Sequence, residues 1–279
     1  MRWMICLLFL LPTISTCRDS YKPSKKVVET DPAVFYSSIE EIPLPAGFHR
    51  IRLQTGSFGE WLRTIKLKNN STVYLYNGKP KEWQGAQFAV LDIPVGDKDL
   101  QQCADAVMRL RAEWFFQQEK DDNISFHAGS GVEISFKKWL KGERYKVSGN
   151  KLITYRTRDT VTNRRKELED YLETVFNYCG TYSLAEELKQ AKTVPGVMPG
   201  DVLIKPGSPG HAMIVVDVAE NDKGEKIFML AQSYMPAQDI HIVKNPQDNA
   251  LSPWYKANNV GDIVTPEWTF HSNQLKAWQ

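Results

Sequence analysis

The chain has 279 residues, 42% hydrophobic, 11% aromatic and 24% charged, enough for one large domain or two small ones and too apolar for wholesale disorder. Lys+Arg 35 against Asp+Glu 33 leaves a formal net charge of +2, no field with which to hold a nucleic acid. The sequence contains no apolar run of about 18 residues, so no internal membrane span is expected.

Residues 1–17 read as an address. Met1-Arg2-Trp3-Met4 is a short n-region with one positive charge, and Ile5 to Leu11 is apolar but too short to cross a bilayer. This is the layout of a secretory signal peptide. Ile14-Ser15-Thr16-Cys17 resembles a bacterial lipobox, with Thr16 where Gly, Ala or Ser is usual. The resemblance implies lipidation of Cys17, membrane attachment through that lipid, and a place in the cell envelope on its periplasmic or its surface side; the alternative is a plain secreted protein cut nearby. With Cys6 removed and Cys17 lipidated, Cys103 and Cys179 remain. They form one disulfide, or one is buried and the other works. No CxxC pair exists, which excludes a zinc ribbon.

Residues 18–42 are polar with two prolines and read as a tether, with a short ordered stretch near Phe35; a single domain is expected over 43–279. Ser57 and Glu60 have the capping-box spacing of a short helix. Val73 to Tyr76, ending in Asn77-Gly78, reads as a strand and tight turn, and Phe88 to Ile93 as a buried strand. The clearest helix follows, with Asp99 as its cap and Gln102 at the reciprocal position. Cys103, Ala106, Val107, Leu110 and Trp114 make one apolar stripe, which places Cys103 in the first turn.

Residues 141–166 hold nine Lys/Arg against Glu143 and Asp159 and are expected on a hairpin and loop, a solvated basic face or a contact for an anionic envelope polymer. Leu168, Tyr171, Leu172, Val175, Phe176 and Cys179 form a second helical stripe stopped by Gly180, and Ser183 with Glu186 opens a third helix. Beyond Gly200 the pattern becomes β: Asp201 to Ile204, His211 to Val218, Ile227 to Ala231, and 240–243. The fold class is α+β, a small antiparallel sheet packed against helices.

A thiol nucleophile needs a favoured thiolate, a base and a group that orients the base. Cys103 stands at a helix start, where free amides favour the anion. His211 opens a strand directly after a Pro-Gly turn, and Gln232 ends the following strand. A turn pairing Asp217 with Phe228 sets His211 opposite Tyr234 and makes Gln232 its diagonal neighbour. Each residue also has a structural reading: Cys103 as a small core hydrophobe, His211 as a partner for a loop carbonyl. The remaining histidines lack metal-ligand spacing, and no metal or cofactor is expected.

The order of Cys at a helix start, a GD-V-L-I strand, GHAMIVV with His first, and a strand ending in a polar residue resembles the papain-like cysteine hydrolase superfamily, including its cell-wall endopeptidases and amidases. The resemblance implies Cys103 as nucleophile, His211 as base, Gln232 as orienting group, and Gln102 or the Cys103 amide as oxyanion donor. Over most of residues 45–279 the chain also resembles the bacterial domain-of-unknown-function family 4846. The stretches AVLDIPVGDKDLQQCADAVMRLRAEW, GDVLIKPGSPGHAMIVVDV, LAQSYMPAQDIHI, SPWY and TPEWTF carry that resemblance. Two readings follow: an envelope cysteine amidase or endopeptidase acting on a cell-wall or peptide amide, or a non-catalytic envelope lipoprotein. The second binds peptidoglycan, another envelope glycan or a partner protein through its tryptophans and basic segment.

Overall fold

The computed structural model describes residues 35–158, 161–188, 190–258 and 261–278. The signal segment, Cys17, most of the expected tether and Asp159 lie outside the described residues. Among the described residues Ser38 bridges to Lys66, and Ile39 and Ile42 are core residues. The folded unit therefore takes in residues that their polar neighbours had assigned to the tether.

The helices are α1 (Phe58–Thr64), α2 (Cys103–Gln117), α3 (Phe136–Leu140), α4 (Arg164–Tyr178) and α5 (Thr181–Glu187). The main sheet is built from β1 (Phe48–Arg50), β2 (Gln87–Val90), β3 (Gln190–Ala191), β4 (Val202–Lys205), β5 (His211–Asn221), β6 (Lys226–Gln232), β7 (His241–Val243), β8 (Tyr255–Lys256) and β9 (Leu275–Ala277). It is antiparallel, ordered β2-β7-β6-β5-β4-β9-β3, with β1 added to β5 and β8 to β6. Fold class is as expected, mixed α+β, and the sheet does not close into a barrel.

The long β5–β6 hairpin is the spine. Its strands are apolar on both faces, as a strand buried on both sides must be. Ala212, Ile214, Val216, Met229 and Ala231 join the larger core, which also takes Ala106, Val107 and Leu110 of α2. Met213, Val215, Val218, Phe228 and Leu230 join a second core with Phe270 and Leu275 on the opposite face. α2 is buried nearly all round, since Leu168, Leu172 and Val175 of α4 share its core.

Several expected boundaries are corrected. Asp99 does not cap α2; Gln102 is the N-cap, and Asp105 reaches back to the Gln102 backbone N–H at 2.9 Å. Asp99 instead accepts from the Ala237 N–H at 2.7 Å. Cys103 is thus the first helical residue. Gly180 rather than Ser183 is the N-cap of α5, and the Ser183 hydroxyl accepts the Gly180 N–H at 3.1 Å. Residues 73–76 form single bridges from Tyr74 to Pro80 and Leu75 to Gln238 rather than a strand. The basic hairpin exists, Glu143–Ser148 paired with Lys151–Arg156. Arg144, Arg164, Arg165 and Lys166 nevertheless hold acidic partners.

The β5–β6 register is also corrected. Asp217 pairs with Met229, not Phe228. A bulge beside Met229 and Leu230 then shifts the pairing by one residue, giving Leu230↔Val215 and Ala231↔Ile214. One extra residue on one strand restores the register expected at the His211 end. The bulge is pinned by Asp217, fully buried, which accepts from Arg50 at 2.7 Å, Arg63 at 2.6 Å and the Val218 N–H at 2.8 Å.

Candidate functional site

Because of the restored register, the His211 and Tyr234 rings lie 4.9 Å apart and the His211 and Gln232 side chains share one face. His211 Nε2 is 2.8 Å from Gln232 Oε1. An amide oxygen only accepts, so Nε2 carries the proton and Nδ1 keeps the lone pair. The Gln232 amide is itself fixed: its Nε2 donates to Glu267 Oε2 at 2.7 Å and faces His241 Nε2 at 3.3 Å. His241 Nδ1 faces the Asp239 carbonyl at 2.9 Å, so it carries the proton there and leaves Nε2 as the acceptor. Every donor and acceptor in this chain has one consistent role.

Glu267 completes the array. Its carboxylate takes the Lys81 ammonium at 2.5 and 2.6 Å, and both side chains are largely buried. The Thr265-Pro266-Glu267-Trp268 turn delivers it, closed by the Thr265 N–H to the Trp268 carbonyl at 2.8 Å. The same turn lays Trp268 5.1 Å from the His211 ring, and Phe270 lies at 5.9 Å. Burial among these rings pushes His211 down to about 4, and His241 goes down to about 3 for the same reason. Both imidazoles are neutral near pH 7.

Cys103 stands at the N-terminus of α2, whose body packs on β5. Three backbone N–H groups, from Ala212, Ala104 and Cys103 itself, act on its thiol in the sense that favours the anion. Burial opposes them and is the larger effect, so the thiol is pushed up, not down as a helix start suggests. The sequence-based expectation of an acidic thiol is corrected on this point: the helix terminus is real, but it is desolvated. The sulfur's contact with the next strand is the Ala212 amide, one residue beyond His211; among the described residues no hydrogen bond joins it to the imidazole.

Cys179 is the C-cap of α4, not a fully buried core residue. Burial and the nearby Glu187 and Asp105 carboxyls push its thiol far up. Both cysteines are free thiols, so no disulfide links them. Gln102, the expected oxyanion donor, directs its side-chain amide to Asp99 at 3.4 Å and its backbone N–H to Asp105. The donors that act on the sulfur are the backbone amides of Ala212, Ala104 and Cys103. No group of three or more His, Cys, Asp or Glu suited to a metal occurs among the described residues. A cavity of about 860 Å³ opens beside the loop that leads into α2, lined by Leu100, Gln101, Arg109 and Asp239 among others. Gln101 is tied to the end of β6, its carbonyl accepting from the Ser233 hydroxyl at 2.8 Å.

Residue-type reasoning missed Lys81, Glu267 and His241. Glu267 lies in TPEWTF and His241 in IHI, both noted as distinctive stretches but given no role. A lone acid and a lone histidine in separate segments carry no spacing signal.

Fold and site together define a mixed α+β protein. It has a thiol at a helix start and a buried His–Gln–Glu–Lys array on the facing sheet. The chain belongs to the family described as "Domain of unknown function (4846)", whose model matches residues 39–277. No curated protein and no solved structure matches it.

Proposed function

We propose that this protein is a cysteine hydrolase that cleaves an amide, with Cys103 as nucleophile, His211 as base and Gln232 as the group that orients it. The observation that carries this reading is the fixed His211 tautomer. The 2.8 Å contact to Gln232 leaves Nδ1 as a base, and Gln232 is held by a buried carboxylate rather than by solvent. A core histidine that only packs does not require a relay of this length behind it.

In this mechanism Nδ1 takes the thiol proton as the sulfur attacks the substrate carbonyl carbon. The resulting oxyanion is held by the backbone amides at the start of α2. His211 returns the proton to the leaving nitrogen, the C–N bond breaks, and a thioester remains. Water, deprotonated by His211 Nδ1, then attacks the thioester carbonyl, the C–S bond breaks to release the acid, and Nδ1 returns its proton to the thiolate. The Gln232 amide oxygen, held in place by Glu267, accepts from the imidazolium formed in each half-reaction and stabilises it. Thiol and imidazole are both neutral at rest, so the proton moves in the encounter with substrate and not beforehand.

The lipobox-like Cys17 supports a place at the cell envelope, where peptidoglycan stem peptides are the amides at hand. A non-catalytic binding role is the second reading, favoured by the burial of His211, only 1% exposed. Cys103→Ser and His211→Ala separate the two. In the hydrolase, each substitution abolishes the release of amine from peptide and peptidoglycan substrates; Cys103→Ser leaves the melting temperature within a few degrees of wild type, whereas His211→Ala empties a buried site and lowers it in either reading. Loss of stability in Cys103→Ser with no activity to lose supports the second reading.

A further inference from the structure

Arg111, eight positions along α2 from Cys103, is enclosed by four aromatic rings. Its guanidinium carbon lies 5.0 Å from the Phe58 centroid, 4.7 Å from Trp114, 4.6 Å from Phe115 and 5.1 Å from Trp278. Ring faces compensate a cation's charge, but they offer no acceptors in the plane of its five N–H donors. Among the described residues Arg111 has neither an ion pair nor a hydrogen bond. The Trp278 indole N–H is likewise buried without an acceptor. Burial alone pushes the guanidinium down to about 10, with no carboxylate acting against it.

The guanidinium nitrogens keep contact with solvent, unlike the Trp278 N–H, so the Arg111 donors stand open to a ligand. Both residues line a cavity of about 660 Å³, room for a short peptide. Its other walls include Ser125, His127, Tyr182, Glu186 and Glu187. Glu187 is engaged by His127, at 3.4 Å, and by the His127 backbone N–H. The cavity therefore presents the Arg111 donors together with the side chains of Glu186 and Glu187. That lining suits a ligand with one anionic end and a neutral or cationic remainder.

We infer that Arg111 forms a subsite for the terminal carboxylate of a peptide lying in this cavity. A guanidinium takes a carboxylate through two parallel N–H bonds, and the aromatic cage holds the fork in place beforehand. The subsite is independent of whether Cys103 is a nucleophile.

The test is a calorimetric titration of the full chain with trialanine, trialanine amide and inorganic phosphate at fixed ionic strength. Trialanine should bind, and its amide, which lacks only the carboxylate, should bind at least about tenfold more weakly. Arg111→Gln should abolish the difference between the two peptides, and Arg111→Lys should retain part of it. Arg111→Lys keeps the charge and loses the planar fork, so it should weaken trialanine binding with little change in melting temperature, which keeps the test valid if Arg111→Gln fails to fold. Equal binding of peptide and amide, no binding of either, or an undiminished preference in Arg111→Lys overturns the inference. Binding of phosphate alone also overturns it, since the site then takes a different anion.

Discussion

Replacing Asp105 with Asn should stabilise the protein, and by an amount that grows with pH. Asp105 is the third residue of α2, and one carboxyl oxygen accepts the Gln102 N–H while the other is buried without a partner. Burial raises its pKa to about 8, against about 3.9 in an unfolded chain. The folded state therefore holds a proton that the unfolded state releases, and stability falls as pH rises from about 4 to about 8. At about 1.4 kcal/mol per pH unit, the cost near pH 7 is roughly 4 kcal/mol, and near pH 5 roughly 1.5 kcal/mol.

Asn reproduces the neutral acid. It keeps the oxygen that accepts from Gln102 and places an NH₂ where the unpartnered oxygen stood. That donor finds no acceptor, a penalty of about 1–3 kcal/mol which the protonated acid largely shares. The net gain at pH 7 should be about 2–4 kcal/mol, raising the melting temperature by roughly 5–15 °C for a domain of this size. At pH 5 the gain should shrink to about 1 kcal/mol or less. Urea denaturation of both proteins at pH 5, 7 and 8 measures this directly. An Asn variant less stable than wild type at pH 7, or a gap independent of pH, would show that Asp105 is ionised in the fold and refute the reasoning.

Three further outcomes follow from the same structure. Asp217→Ala leaves the Arg50 and Arg63 guanidiniums without their buried carboxylate and unpins the β5–β6 bulge. It should cost about 3–5 kcal/mol in urea denaturation, and a loss under about 1 kcal/mol would rule out the ion cluster as the pin. Iodoacetamide should label Cys103 before Cys179 in the folded protein, slowly at pH 7 and faster as pH rises. Three amides offset burial and the Asp105 carboxyl at Cys103, whereas both the Glu187 and the Asp105 carboxyls add to burial at Cys179. Mass spectrometry of the labelled peptides checks the order, and faster labelling of Cys179 contradicts it. Cys17→Ala should move the protein from the membrane pellet to the soluble fraction, and unchanged partition counts against the lipid anchor.

The sequence by itself determined the elements whose signal is local. The apolar stripe from Cys103 to Leu110 marks α2, and the uninterrupted apolar runs of β5 and β6 mark strands buried on both faces. Hairpin pairing even brought His211, Gln232 and Tyr234 together, because contacts across a turn depend on few residues. Two facts needed tertiary structure. The register passes through a bulge pinned by Arg50 and Arg63, residues more than 150 positions from Asp217, and no local pattern encodes that pin. The electrostatic state of the site is the second. Helix position argues for an acidic Cys103, but its pKa depends on how much water the assembled core excludes, and there desolvation exceeds the contribution of three amides. Glu267, Lys81 and His241 likewise acquire roles only where the sheet and the Thr265–Trp268 turn converge on Gln232. Residue type and spacing are properties of the chain, whereas solvation and long-range partners are properties of the folded core.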